Sequence, residues 1–376
     1  MNYKNRINQK YEEYWKYTAS KTDYGNDTFI NSLRIIVKFI DDNENSSLDD
    51  KSRYEIIQKD IANNNGWSGK SSGPNSRKEI NTWVKNGFLF PGLKKYHYLT
   101  KEFLNAESDF EKNTLLAKVF LENNQFNASA TREDKCKKNR IKFLLRTLEN
   151  NKKLTKNDLI GIMFCDPESY DDYLDKKELN TLNRYAESIN AFDRKYNQVG
   201  HLRSALKCLD KYIVFIDDVL HFRDDNDEIQ IISKSKNKPS RSQAEQQVYR
   251  DMLIVESNNV LGMAENNSRT KCMLSGLPMS KAKIVASHIW AYDKCDEEAE
   301  YDPDNGILLG DNADYYFDSG KISFDNDGKV LIGSSVPDEW RIVFKTQSLN
   351  KVFLNEKRKN YLKKHRQIHG FEKLLD

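Results

Sequence analysis

The sequence is poor in the residues that would make a secreted scaffold, a zinc knuckle or a membrane protein. Its 376 residues include five cysteines, Cys136, Cys165, Cys208, Cys272 and Cys295, an odd number with no close pair. That spacing argues against a disulfide framework or a Cys-rich zinc site and suits a reducing compartment. No apolar run approaches the roughly 20 residues that cross a bilayer, and the opening MNYKNRINQKYEEYWKY lacks the apolar core of a signal peptide. The expectation is a soluble, cytoplasmic protein without membrane partners. One-sided charge is missing as well: 60 basic residues face 57 acidic ones, a formal net charge of +3. Such a balance neither demands nor forbids a polyanionic partner. The basic residues do cluster, at Lys234, Lys236, Lys238 and Arg241 and again at Lys357, Arg358, Lys359, Lys363, Lys364 and Arg366. Each cluster reads equally as solvated surface or as a nucleic-acid footprint.

What is present begins with helices. In NDTFINSLRIIVKFIDD, Leu33, Ile36, Val37 and Ile40 recur at helical spacing. SRYEIIQKDIAN and SRKEINTWVKNGFLF extend the pattern, the latter stopping at Asn86-Gly87. FLF and YHYLT then flank a Pro-Gly turn. Three helices and a small hairpin are the order of a winged-helix unit. A second such series follows, with Thr155 and Asp158 as a capping pair, KELNTLNRYAESINAFDRKY as one helix, and IVFIDD, VLHFRD and EIQIIS as strands. KSKNKPSRSQ is a basic linker. The predicted organisation is 1–125 and 126–232 as two helical, winged-helix-like regions, 233–244 as linker, and 245–376 as a mixed C-terminal domain. The fold class is α+β. A helical scaffold without any ligand is the competing account of the N-terminal half.

Histidine is scarce, six in all, and His288 closes a strand-like KIVAS. Downstream stand Asn305-Gly306, a returning ILL strand, and a helix start carrying Asp314 and Asp318 four residues apart, on one face. A carboxylate-bound divalent cation offsets charge on a phosphodiester and stabilises the departing oxygen. A neutral imidazole, with an ordinary pKa of roughly 6.5, takes a proton from water near neutral pH. Oxygen ligands suit Mg²⁺ or Mn²⁺. Against this stands a partly buried, satisfied histidine beside a solvated helix face.

The motifs Cys272 to Gly276 (C-x-x-S-G), Ala286 to Ile289 (ASHI), Asn305 to Leu309 (NGILL) and Asp314 to Phe324 (D-x-x-F-D-x-G-x-I-x-F), in that order, resemble the HNH nuclease domain of many bacterial restriction enzymes. Gln246, Tyr249 and Arg250 resemble the Q-x-x-F-R signature that often leads into it. The resemblance covers about 245–335. It implies a ββα-metal fold, with His288 as general base and Asn305 holding the active loop. It also implies Asp314 and Asp318 as metal ligands, with Ser287 where relatives carry an Asp or His ligand. Mg²⁺ is the implied metal, with Mn²⁺ able to substitute. No structural zinc is expected, since Cys272 and Cys295 are single.

Together, the resemblance and the element order lead to a bacterial site-specific endonuclease of a restriction-modification system, a type II restriction enzyme cutting double-stranded DNA. The preferred layout is type IIS, cutting outside an asymmetric site, as a homodimer at least during cleavage and with a separate methyltransferase. DNA-contact candidates are Arg77, Lys78, Lys85, Lys94, Lys95, His97, Lys236, Lys238, Arg241 and Arg250. The alternatives are a palindrome-specific enzyme, an HNH nickase, a 5-methylcytosine-dependent nuclease with Trp67 or Trp83 lining a base pocket, and a winged-helix regulator with an inactive C-terminal domain.

Overall fold

A computed structural model of the chain describes residues 15, 24, 26–69, 72–223, 242–263, 269–280 and 283–374. The described residues up to 223, with 242–245, form one compact unit, and those from 246 onward form a second. The described residues of the two regions anticipated within 1–232 all fall in the first unit.

That first unit is mostly helical: α1 (Asp27–Asp42), α2 (Asp50–Asn64), α3 (Ser72–Lys85), α4 (Thr100–Asn105), α5 (Asp109–Asn123), α6 (Arg140–Asn151), α7 (Lys156–Ile162), α8 (Lys176–Ser188) and α9 (Ala191–Ala205), then β1 (Ile213–Ile216) and β2 (Val219–Phe222). The apolar stripe of α1 is buried at Leu33, Ile36, Val37 and Ile40, and the Asn26 side chain caps its start by accepting from the Phe29 N–H. Pro74 falls in the first turn of α3, where its missing N–H costs nothing, so this helix starts earlier than its polar opening suggested. Trp83 is fully buried at the centre of this unit, stacked on Phe29 at 4.1 Å, and its indole donates to Ser32 Oγ at 3.0 Å. It is a core residue and offers no face to a flipped base.

Two local expectations are revised. The first wing is a single antiparallel bridge, Leu89 to Tyr96, instead of a hairpin. The long helix expected over KELNTLNRYAESINAFDRKY is broken into α8 and α9 by Asn190, whose φ of 54° is left-handed. Asparagine tolerates that region because its short polar side chain bonds locally. The strands expected at IVFIDD and VLHFRD do pair, β1 running antiparallel to β2 from Ile213↔Phe222 to Ile216↔Val219. EIQIIS and the basic linker up to Arg241 lie outside the described residues.

Helix α10 (Gln243–Leu261) leads into the second unit, followed by β3 (Arg269–Lys271), β4 (Pro278–Ser280), β5 (Ile284–His288), β6 (Gly306–Gly310), α11 (Asp311–Asp318), β7 (Ile322–Phe324), β8 (Val330–Ile332), α12 (Asp338–Lys345) and α13 (Glu356–His369). The strands form antiparallel pairs, β3–β4, β5–β6 and β7–β8. The β5–β6 register runs from Ile284↔Gly310 to His288↔Gly306. Helix α11 leaves β6 without a loop and packs on both strands, seating Phe317 in the core. Helix α13 packs on β7 and on the 3-10 turn Pro303–Asn305. Cys272 and Cys295 are buried free thiols.

Candidate active site

Strand β5 delivers two adjacent side chains to opposite faces, as strand alternation requires. Ser287 is buried and His288 half-buried. The His288 ring is held on several sides. It stacks on Tyr249 of α10 with centroids 4.3 Å apart and planes at 25°, and it meets Tyr292 edge-on at 6.1 Å. Nε2 lies 3.0 Å from the Glu300 carbonyl oxygen. A carbonyl only accepts, so Nε2 carries the proton in the neutral ring and Nδ1 carries the lone pair. That is the tautomer a general base needs.

The loop from 289 to 305 is closed by Asn305, which is fully buried. Its Oδ1 accepts from the Trp290 N–H at 2.7 Å, and its Nδ2 donates to the Trp290 and Ala299 carbonyls, both at 3.0 Å. A backbone bond from Ile289 N–H to the Asn305 carbonyl, 2.9 Å, continues the ladder past His288. Asn305 therefore acts on the loop backbone that carries the Glu300 carbonyl, and through it on His288. Asp302, in the same loop, is occupied by Tyr361 and Lys357, each at 2.8 Å.

Arg358 of α13 anchors the same loop. It is fully buried, pairs with both carboxylate oxygens of Glu256 at 2.8 Å, and donates to the carbonyls of Pro303, Gly306 and Phe353. Gly306 has its own constraint: a Cβ there would overlap the Tyr249 hydroxyl.

Asp314 lies on α11 beside Ser287. Burial pushes its carboxyl up to about 6; the Ser287 hydroxyl opposes the shift, and the negative charges of Asp318 and Asp311 add to it. Ser287 Oγ is buried without a completed hydrogen bond, although it lies near enough to Asp314 to favour its ionised form. A largely buried carboxylate beside an orphaned hydroxyl, with the charge of a second carboxylate one helical turn away acting on it, is a donor set that a hard cation would relieve. Among the described residues no group of three or more His, Cys, Asp or Glu is placed to hold a metal by itself. Mg²⁺ does not require one, since it is commonly held by one or two carboxylates with water and substrate phosphate. The residues present therefore fit Mg²⁺ or Mn²⁺.

A small cavity beside His288 is lined also by Lys294, Asp318 and His369. The His369 pKa is lowered, by burial first and then by the Lys294 charge, while Asp318 opposes the change. Sequence reasoning missed Lys294, His369 and the Tyr249 stack, and it grouped Arg358, which is buried, with a cluster read as solvated surface or nucleic-acid footprint. The only sequence signal was Tyr249's place in the Q-x-x-F-R-like string.

The anticipated DNA contacts separate by exposure. Arg77 and Lys78 stand exposed on α3, and Lys94 and Lys95 are exposed after it. Lys94 pairs with Asp50 at 2.8 Å, and Lys95 lies over Phe90. Lys85 and His97 are turned inward: Lys85 Nζ donates to the Phe126 carbonyl at 2.8 Å, and His97 meets Glu122 at 3.2 Å. Neither has the exposure a phosphate contact needs. Arg250 is half-buried on α10 with an unsatisfied Nε. Lys236, Lys238 and Arg241 lie outside the described residues.

Residues 272–325 match the family model described as HNH endonuclease. The match runs from the residue after β3 to the residue after β7 and includes Ser287, His288, Asn305, Asp314 and Asp318. The chain thus carries a C-terminal HNH-family nuclease domain, preceded by a mostly helical region. A search of curated proteins finds none that matches the chain. No helix among the described residues is long and apolar enough to cross a membrane.

Proposed function

We propose that this chain is a divalent-metal-dependent DNA endonuclease of a restriction system. In this reading its helical unit reads the duplex, and β5, β6 and α11 form a ββα-metal site. The observation that carries the reading is the state of His288, an imidazole stacked on Tyr249 with Nε2 committed to the Glu300 carbonyl. Such a ring presents a basic Nδ1 in a fixed direction. Nδ1 takes a proton from water as the water oxygen bonds to phosphorus. The bond from phosphorus to the leaving sugar oxygen breaks, and that oxygen takes up a proton from bulk water. Asn305 keeps the loop, and therefore the ring, in register. Asp314 and Asp318, with Ser287 nearby, would hold Mg²⁺ or Mn²⁺, which supplies charge compensation at the phosphate.

One His288 per chain cuts one strand at a time, so a double-strand break requires two chains or two successive nicks. Dimerisation on DNA is the economical arrangement. A type IIS layout, with cutting at a distance and a separate protective methyltransferase, follows from keeping recognition and cleavage in different parts of the chain. Arg77, Lys78, Lys94 and Lys95 are the surface cations proposed to meet phosphate, while Arg250 and the linker cations stay as further candidates.

The test is incubation of unmethylated phage DNA with the protein and millimolar Mg²⁺, beside His288→Ala, with the ends mapped by sequencing. Discrete fragments from the parent and none from the variant are expected, with ends offset from the recognition sequence. Failure to cut unmethylated and methylated DNA with either Mg²⁺ or Mn²⁺ would sink the reading.

A further inference from the structure

The cavity beside His288 contains two histidines from α13, and they differ in kind. His365 is spent: its Nδ1 lies 2.9 Å from Ser323 Oγ, its Nε2 lies 3.2 Å from the Phe317 carbonyl, and its ring stacks on Phe317. His369, one helical turn later, makes no hydrogen bond among the described residues. Its ring is held by shape, packed near His365 at 4.5 Å and seated over Gly320, where a Cβ would overlap Nδ1. Gly320 has φ of +65°, so the turn after α11 uses a residue that both accepts this backbone and leaves space for the imidazole.

The charges around the cavity point the same way. Most of the basic cluster on α13 is neutralised: Arg358 by Glu256, Arg366 by Glu372, Lys357 by Asp302 and Lys359 by Glu356. Lys363 and Lys364 have no carboxylate partner among the described residues, and Lys364 Nζ sits 3.6 Å over the Trp290 ring. Lys294 and His369 reach the cavity itself, where Asp318 is the one carboxylate lining it. An amine and an imidazole with no side-chain hydrogen bond or ion pair among the described residues, next to His288 and a single carboxylate, suit an anionic oxygen through charge-assisted hydrogen bonds.

We propose that Lys294 and His369 bind a nonbridging oxygen of the scissile phosphate in the cavity they share with His288 and Asp318. His369 is then a catalytic residue supplied by α13, from beyond the segment 272–325 that matches the nuclease family. This inference rests on the nuclease reading above and names the protein groups that receive its substrate.

The experiment compares single-turnover cleavage of a duplex substrate by the parent, His369→Ala, His369→Gln and Lys294→Ala, with millimolar Mg²⁺ and a thermal unfolding scan of each. His369→Ala is expected to slow cleavage about 100- to 1,000-fold, the scale seen on removing one transition-state donor. The expected transition temperature is close to the parent's. His369→Gln, which keeps a donor, and free imidazole added to His369→Ala should each restore part of the rate. Metal-free duplex binding by Lys294→Ala should show a log–log salt slope reduced by about one, as for loss of one phosphate contact. Parental cleavage by His369→Ala would overturn the inference while leaving the nuclease reading intact. So would a loss that follows a lowered transition temperature and resists imidazole. A parent that fails to cut with any divalent cation would remove both.

Discussion

The rings of His288 and Tyr249 lie face to face, 4.3 Å apart and 25° from parallel. One belongs to the strand that opens the nuclease hairpin, the other to the helix that precedes it. Gly306, directly across the ladder from His288, has no side chain, and a Cβ there would overlap the Tyr249 hydroxyl. The pairing of a glycine with a tyrosine thus sets the height at which the imidazole rides.

Removing the Tyr249 ring should therefore cost rate more than binding. An aromatic pair is worth about 1 kcal/mol beyond its buried area, which converts to roughly fivefold in rate if it is all used to orient the base. Tyr249→Leu should cut about that much more slowly with unchanged duplex affinity, and Tyr249→Phe should stay close to the parent. Single-turnover rates beside fluorescence anisotropy separate the two, and equal losses in both variants would refute the orienting role.

Asn305→Ala should lose activity and stability together. It strips partners from the Trp290 N–H and from the Trp290 and Ala299 carbonyls in a buried loop. Leaving buried backbone groups unsatisfied costs about 1–3 kcal/mol each, so a loss of about 3 kcal/mol is expected in denaturant unfolding. A variant as stable as the parent would show that the loop is held elsewhere.

Asp314→Asn should do the opposite to stability. The folded carboxyl titrates at about 6 against an ordinary 3.8, so the folded state binds more protons between those values. Stability then falls as pH rises through that window, by at most about 3 kcal/mol for a shift of this size. At pH 7.5 without divalent cations, Asn should raise the transition temperature and abolish metal-dependent cleavage. Added Mg²⁺ should raise the transition of the parent and not of the variant. A variant less stable than the parent at that pH would contradict the assignment.

His365 gives an acid limit. Burial lowers its pKa to about 3 from 6.5, so the unfolded state binds the extra proton between those values. Stability is lost as pH falls through that window and is fully present above 6.5. Thermal scans should show a steeper decline with acid in the parent than in His365→Gln. Parallel curves would mean that other groups govern the acid transition.

The nuclease hairpin was legible because its signals are local. KIVASH alternates onto a strand, Asn305-Gly306 opens the return, and Asp311 to Asp318 begins a helix directly after it. Long helices with apolar stripes, such as α1, were legible for the same reason. Burial of cations was not, since a Lys–Glu or Lys–carbonyl bond between distant residues leaves no periodic trace. Lys85 and His97 looked like phosphate contacts and are interior groups. The break at Asn190 was hidden because the apolar pattern continues across it. His369 was invisible to motif reasoning because only tertiary packing of α13 brings it to Asp318.

The Arg358–Glu256 pair sets the practical limits of the nuclease as a transplantable part. Glu256 precedes the family segment and Arg358 follows it, yet the guanidinium holds the Pro303 and Gly306 carbonyls on either side of Asn305. A fragment trimmed to 272–325 would lose this brace, the Tyr249 stack and His369 at once. Grafting the HNH domain onto another protein therefore calls for a cassette running from α10 through the end of α13.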